Sequence, residues 1–312
     1  GEFGFDGVSG TSAGAMNAIC LAEGWRRGGR EGAREALAGF WEAVAASSPF
    51  ESVDADPANP QLAPALKLFL QWSEHLSPAQ LNPFDLNPLR DILAAQIDFA
   101  ALRRNCPLRL FIAATHANSG KLKIFRNAEL SLEAVLASAC LPTIHHTVTI
   151  DGEPYWDGGY SANPAVFPLF YECPARDILL ILLSPLKFGE TPTSAQEIRH
   201  RLQELAFNNT FLREMRMFAH LQDQIREAPR SWWQPRWLVE SPLEVRLAQT
   251  HFHAISADAL MRELPSATRL TVNLPFFTRL RDDGRAHAQA WLAKHRTAVG
   301  QRSSLNLASL FY

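Results

Sequence analysis

Gly10-Thr11-Ser12-Ala13-Gly14 sets a serine between two glycines, with Phe5-Asp6-Gly7-Val8-Ser9 ahead of it and Ala15-Met16-Asn17-Ala18-Ile19 behind. A serine hydroxyl is a poor nucleophile until it is exposed, given a base, and provided with donors for the oxyanion it creates. The leading flank predicts a short strand and the trailing flank a helix of small residues. Ser12 then sits on a sharp strand-to-helix turn, the setting of a nucleophile elbow. Gly10 and Gly14 give that turn its room. A helix opening at Ala13 aims unpaired N–H groups and its positive dipole end at the serine, so the Ala13 N–H is a candidate oxyanion donor. Without these flanks the same five residues read as a glycine-rich turn around a buried serine.

A second chemical group lies far along the chain. Val148-Thr149-Ile150 and Pro154-Tyr155-Trp156 flank Asp151-Gly152, which predicts a hairpin with a tight turn. Asp157-Gly158-Gly159-Tyr160 follows directly. Gly158 and Gly159 permit unusual backbone angles, so Asp157 at the strand end can approach another loop closely. Alone, D-G-G is a simple turn; in company with the elbow it becomes a candidate second half of the site.

The elements that must hold these groups belong to an α/β fold. Leu108 to Thr115 is an apolar core strand, Leu122 to Phe125 the next, and Ile178 to Leu183 another buried one. Arg26-Arg27-Gly28-Gly29-Arg30 is a polar turn before a helix from Glu31 to Ala46. Ser131 to Ala139 is a short helix stopped by Leu141-Pro142, and Leu280 to His295 a late helix containing Gly284. Strands alternating with helices predict a mainly parallel central sheet. Residues 49–88 differ: Pro49, Pro57, Pro60, Pro64, Pro78, Pro83 and Pro88 break regular elements, which predicts a cap or lid insertion. Its amphipathic stretch carries Leu62, Leu66, Phe69 and Leu70, and Asn87-Pro88 predicts a helix start with Asn87 as cap. Residues 190–312 read as a mainly helical C-terminal part of one domain spanning 1–312.

Composition narrows the function classes. Hydrophobic residues make up 47% and charged residues 20%, a globular balance, and a net charge of -2 gives no bulk field to attract nucleic acid. Cys20, Cys106, Cys140 and Cys173 are far apart, with no C-x-x-C pair and no zinc spacing, so they read as free buried thiols. Free thiols suit a reducing, cytoplasmic setting. The aliphatic run from Ile178 to Leu183 is too short to cross a bilayer. No cofactor is called for.

Taken together, the box at Ser12, the D-G-G at Asp157 and Ala137-Ser138-Ala139-Cys140-Leu141-Pro142 ahead of the hairpin resemble the patatin-like phospholipase family. The stretch from Leu280-Arg281-Asp282-Asp283-Gly284-Arg285 to Ala290-Trp291-Leu292 looks like the C-terminal part of a bacterial branch, extending the resemblance over nearly all of the chain. The resemblance implies a three-layer α/β/α fold and a Ser-Asp dyad without a catalytic histidine. It makes Ser12 the nucleophile, Asp157 the base and the Ala13 N–H an oxyanion donor, with Gly10 and Gly14 shaping the elbow and Gly158 and Gly159 the Asp loop. An ordinary aspartate, with a pKa of about 3.9, is a weak base, so partial burial would have to raise its basicity or water exclusion strengthen its hydrogen bond to the Ser12 Oγ. The family also carries a glycine-rich loop with a basic residue upstream of its serine. Nothing before Ser12 supplies that loop, and Gly28-Gly29-Arg30-Glu31-Gly32, which imitates its composition, lies after the elbow helix and reads as a solvated loop.

Two rival readings remain open. A Ser-Asp-His triad would need a histidine after Asp157, with His251 or His253 as candidates, while His145-His146 precede the aspartate. A non-catalytic lipid-binding scaffold on the same core would explain the missing loop, but has no reason to keep Ser12 and Asp157 together. The substrate reading is a lipid or small carboxylic ester, with transient contact at a membrane surface. Leu66, Phe69, Leu70 and Trp72 in the cap, and the tryptophan and arginine of Arg230-Ser231-Trp232-Trp233-Gln234-Pro235-Arg236-Trp237, are the interfacial candidates. Phe207, Phe211, Met215 and Phe218 recur at helical spacing and read as core or groove lining.

Overall fold

A computed structural model describes residues 3–47, 77–183, 185–186, 189–227, 241–258, 260 and 272–312. Residues 48–76, with most of the expected cap, and the tryptophan patch from Arg230 to Trp237 lie outside the described residues. The chain divides into two compact units, 1–165 with 259–285 and 166–258 with 286–312. Both mix strands with helices, as the alternation of patterns in the sequence requires.

In the first unit, strand β1 (Gly7–Gly10) leads into helix α1 (Ala13–Ala46), which bends at Gly28 and Gly29 where a polar turn is expected. At that bend the half-buried Arg26 and the exposed Arg27 both bond the buried Glu23 carboxylate. Short helices α2 (Pro78–Leu81), α3 (Pro88–Gln96) and α4 (Phe99–Arg104) follow. Asn87 does occupy the cap position of α3, but its side chain makes no capping hydrogen bond. Strands β2 (Arg109–His116) and β3 (Leu122–Arg126), helix α5 (Leu132–Ser138), and the hairpin of β4 (Val148–Ile150) and β5 (Glu153–Asp157) complete the order. The hairpin turn has Asp151 and Gly152 at φ 53° and 82°, the two positive angles that such a two-residue turn demands.

Strand β2 is the hub of the sheet, buried continuously from Leu110 to Thr115. β1 pairs parallel with its first half, from Gly7↔Arg109 to Gly10↔Ile112. β5 pairs antiparallel with its second half, from Ala114↔Asp157 to His116↔Tyr155. β3 runs antiparallel across both halves, from Phe111↔Arg126 to Thr115↔Leu122. A strand bonds one neighbour along each edge. Since β3 overlaps the registers of both β1 and β5, it takes one edge of β2, and those two share the other, end to end. Their C-terminal ends converge on Ala113, the β2 residue between the two registers. β1, β2 and β4 therefore run in one direction and β3 and β5 against them, a mixed sheet with most strands parallel and its parallel pairing at β1–β2. Ile19, Phe40, Leu93, Leu102, Leu110 and Val135, drawn from α1, α3, α4, β2 and α5, pack the core behind it.

The second unit pairs β6 (Asp177–Leu182) in parallel with β7 (His251–Ser256), which falls within the stretch expected to be mainly helical. Helices α6 (Phe167–Glu172), α7 (Ala195–Glu227), α8 (Pro242–Ala248), α9 (Leu274–His295) and α10 (Leu307–Phe311) make up the rest, and α9 begins in the first unit. Phe211, Met215 and Phe218 of α7 are core, packed with Phe252 and Phe311, while Phe207 is half-buried. Among the described residues no cysteine forms a disulfide. Among the described residues no helix is long and apolar enough to cross a membrane.

Candidate active site

Ser12 stands between β1 and α1 with φ 55° and ψ -123°. A non-glycine residue held there costs about 1–3 kcal/mol, so its surroundings must impose the geometry. They do so from several sides. The Ser12 N–H is shared by the Ser138 carbonyl at 3.2 Å and the Ser138 Oγ at 3.1 Å. The Gly14 N–H closes on the Thr11 carbonyl at 2.8 Å, and the Ala15 and Met16 N–H groups close on that of Ser12. Ser9 and Thr11 alternate along the chain, and both hydroxyls tie it to the loop after Asp157, donating to the Ala165 carbonyl at 2.6 Å and the Ala162 carbonyl at 2.9 Å.

Gly10 is required by space: a Cβ there would lie 2.4 Å from the Gly14 carbonyl oxygen. At Gly14, by contrast, a Cβ would meet nothing within 4 Å among the described residues. What crowds the elbow is the Gly14 backbone, not its lack of a side chain. Ser12 is half-buried, while Ala13 and Gly14 are exposed. Among the described residues the Ala13 N–H has no acceptor, which leaves it open to an incoming oxygen.

Asp157, the last residue of β5, has a relative exposure of 0%. Its N–H donates to the Cys140 carbonyl at 2.7 Å, and its own carbonyl accepts from Thr115 Oγ1 at 2.8 Å. Carboxylate Oδ1 accepts the Gly159 N–H at 2.7 Å, so the D-G-G forms a single 3₁₀ turn, Gly158–Tyr160, capped by the aspartate itself. A Cβ on Gly158 would lie 2.2 Å from the Ala113 carbonyl oxygen, which ties this turn to the point where β1 and β5 converge. Oδ2 is buried and has no hydrogen-bond partner among the described residues. Burial pushes the carboxyl above the ordinary aspartate range, and hydrogen bonding from the Gly159 N–H and from Ser12 offsets part of that rise. Among the described residues the Ser12 hydroxyl makes no hydrogen bond to the carboxylate, yet it lies near enough to hold the pKa down somewhat. Loose resting geometry of this kind tightens in substrate complexes.

The histidines of the rival triad are engaged elsewhere. His253, buried in the second unit, bonds Asp177 Oδ1 through Nε2 at 2.9 Å and Ser304 Oγ through Nδ1 at 2.9 Å, so both ring nitrogens are occupied. His251 Nδ1 also lies 3.4 Å from Asp177. In the first unit His146 Nε2 bonds the Asn82 carbonyl at 2.8 Å, and burial lowers the pKa of His145. Among the described residues no histidine bonds Ser12 or Asp157, and no three His, Cys, Asp or Glu side chains are grouped to hold a metal ion. Sequence reasoning missed the parts played by Ser138, Thr115, Ala113, Ser9 and Thr11. Only the alternation of hydroxyls at Ser9 and Thr11 carried a local signal.

The chain matches the family model of patatin-like phospholipase over residues 3–170, which includes Ser12, Ser138 and Asp157 and ends well short of the nearly complete resemblance read from sequence. No curated protein matches it.

Proposed function

Because the chain belongs to the patatin-like phospholipase family, which points to acyl hydrolysis of lipids, we propose that it cleaves carboxylic esters through a dyad of Ser12 and Asp157. Ser12 Oγ attacks the ester carbonyl carbon as its proton passes to Asp157. The carbonyl oxygen takes up negative charge beside the Ala13 N–H. Collapse expels the alcohol, which carries away the proton from Asp157 and leaves Ser12 acylated. Water then gives a proton to Asp157 and attacks the acyl carbonyl. Ser12 leaves with that proton, and the carboxylic acid is released.

The observation that supports this reading most strongly is the convergence of β1 and β5 on Ala113, which brings the buried Asp157 carboxylate, its Oδ2 without a partner among the described residues, under the influence of the Ser12 hydroxyl. Burial answers the objection that aspartate is too weak a base, since it raises the pKa of the carboxyl. The base works only when ionised, so the rate climbs as pH rises through that raised pKa. Purified protein should hydrolyse p-nitrophenyl esters with an acid limb above about pH 4, and Ser12→Ala should abolish turnover without unfolding the chain. Hydrolysis by Ser12→Ala at the wild-type rate would refute the assignment.

A lipid surface as the place of action has separate support. Phe84 and Leu86 are 82% and 72% exposed, and Ile144 is 47% exposed. The Asn82 side chain bonds both the N–H and carbonyl of Leu86, and the His146 ring bonds the Asn82 carbonyl, so the two loops bearing these side chains are joined. Apolar side chains displayed on linked loops fit an interface better than open water.

A further inference from the structure

The main chains of Ser12 and Asp157 are both gripped by a segment belonging to neither motif. Helix α5 ends at Ser138, and the last carbonyls of a helix have no partner inside it. The free carbonyl of Ser138 accepts the Ser12 N–H, and the Ser138 Oγ accepts the same N–H. Two residues on, the Cys140 carbonyl accepts the Asp157 N–H at 2.7 Å, while the intervening Ala139 carbonyl turns away to the Leu141 N–H. Ser138 and Cys140 are both buried, so no water competes freely for these bonds. The Ser138 hydroxyl does not cap its own helix, whose start is capped by Ser131.

We infer that Ser138 is a positioning residue for the Ser-Asp pair, and that the segment Ser138-Ala139-Cys140 fixes the separation between nucleophile and base. The inference rests on the dyad reading above. Ser12 is held at a positive φ, and the direction of its N–H is set by that angle. Two acceptors on one N–H restrict the tilt of the peptide more than one does. The same short segment anchors Asp157, so a tilt at Ser12 changes the approach of its Oγ to the open Oδ2. Misplacement of reacting groups by about an ångström can cost around a hundredfold in rate, and partial loosening correspondingly less.

The test uses the full chain and a fluorophosphonate probe that acylates an active serine. Ser138→Ala keeps the carbonyl acceptor and removes Oγ. Labelling of Ser12 should slow by roughly tenfold, with kcat on p-nitrophenyl esters falling in parallel and KM unchanged. The pH of half-maximal labelling should stay put, because the burial of Asp157 and its Gly159 bond are untouched. Ser138→Cys, which keeps the volume but offers a weaker acceptor, should fall between, and it replaces Ser138→Ala if that variant does not fold. Wild-type labelling rates in the folded variants, with or without a lower Tm, would reduce Ser138 to a structural role and overturn the inference. If the wild-type chain itself is not labelled at Ser12, the dyad reading fails first and this inference with it.

Discussion

Glu214 offers a prediction whose size can be worked out. It lies on α7, half-buried, and its Oε1 accepts the Val166 N–H at 2.9 Å and also the Phe167 N–H, where α6 begins. Burial pushes its pKa up from 4.5 to about 7, against the opposing pull of those two N–H groups. A folded-state pKa above the unfolded value means that the folded chain holds the proton more tightly. The stability this contributes is complete below about pH 4.5 and is lost as pH rises through about 7. At about 1.4 kcal/mol for each pH unit, the interval corresponds to roughly 3 kcal/mol, a ceiling because the side chain is partly solvated. Glu214→Gln keeps an oxygen for both N–H groups and removes the titration. Urea unfolding at pH 5, 6, 7 and 8 should show the two proteins drawing apart, with the glutamine variant the more stable above pH 7 by about 1–3 kcal/mol. A difference that stays constant with pH, or one that favours the glutamate as pH rises, would refute the reasoning.

Three further variants probe the site and its surroundings. Gly158→Ala would press a Cβ to 2.2 Å from the Ala113 carbonyl, so it should cost about 2–3 kcal/mol in unfolding free energy and lower activity with it. Gly14→Ala, facing open space, should cost less than about 1 kcal/mol by the same measurement. Phe84→Ser with Leu86→Ser should weaken sedimentation with phospholipid vesicles by about tenfold, the loss of a few kcal/mol at most of apolar burial, while hydrolysis of soluble esters is unchanged. Equal vesicle binding by the double variant would remove these side chains from the interface.

The elbow was readable from sequence because all its parts are local. Gly10, Ser12 and the small residues after Ala13 prescribe a strand, a turn and a helix within one short window. Asp157 was readable as a strand-end aspartate for the same reason. What brings the two together was not readable, since it depends on β1 and β5 sharing one edge of β2, a pairing decided by tertiary packing. Ser138 is the clearest case: a serine inside an apolar helix has no local pattern to show that it bonds an N–H 126 positions away. Gly14 erred in the other direction. Its place in the motif suggested a steric need that, among the described residues, Gly10 shows and Gly14 does not. The pairing of β6 with β7 was equally hidden, because β7 is short, carries two histidines and lies among helices, which masked its strand character.

The most direct test of the dyad is to find which serine reacts. The purified chain is treated with a fluorophosphonate, digested, and the modified peptide identified by mass, for wild type and for Asp157→Asn. The account predicts the adduct on Ser12, and a labelling rate in Asp157→Asn lower by roughly 10³-fold or more, since a nucleophile and its base act as one unit. An adduct on Ser304, whose hydroxyl meets His253 and through it Asp177, would move the chemistry into the second unit. Labelling of Ser12 at an undiminished rate in Asp157→Asn would contradict the account as plainly.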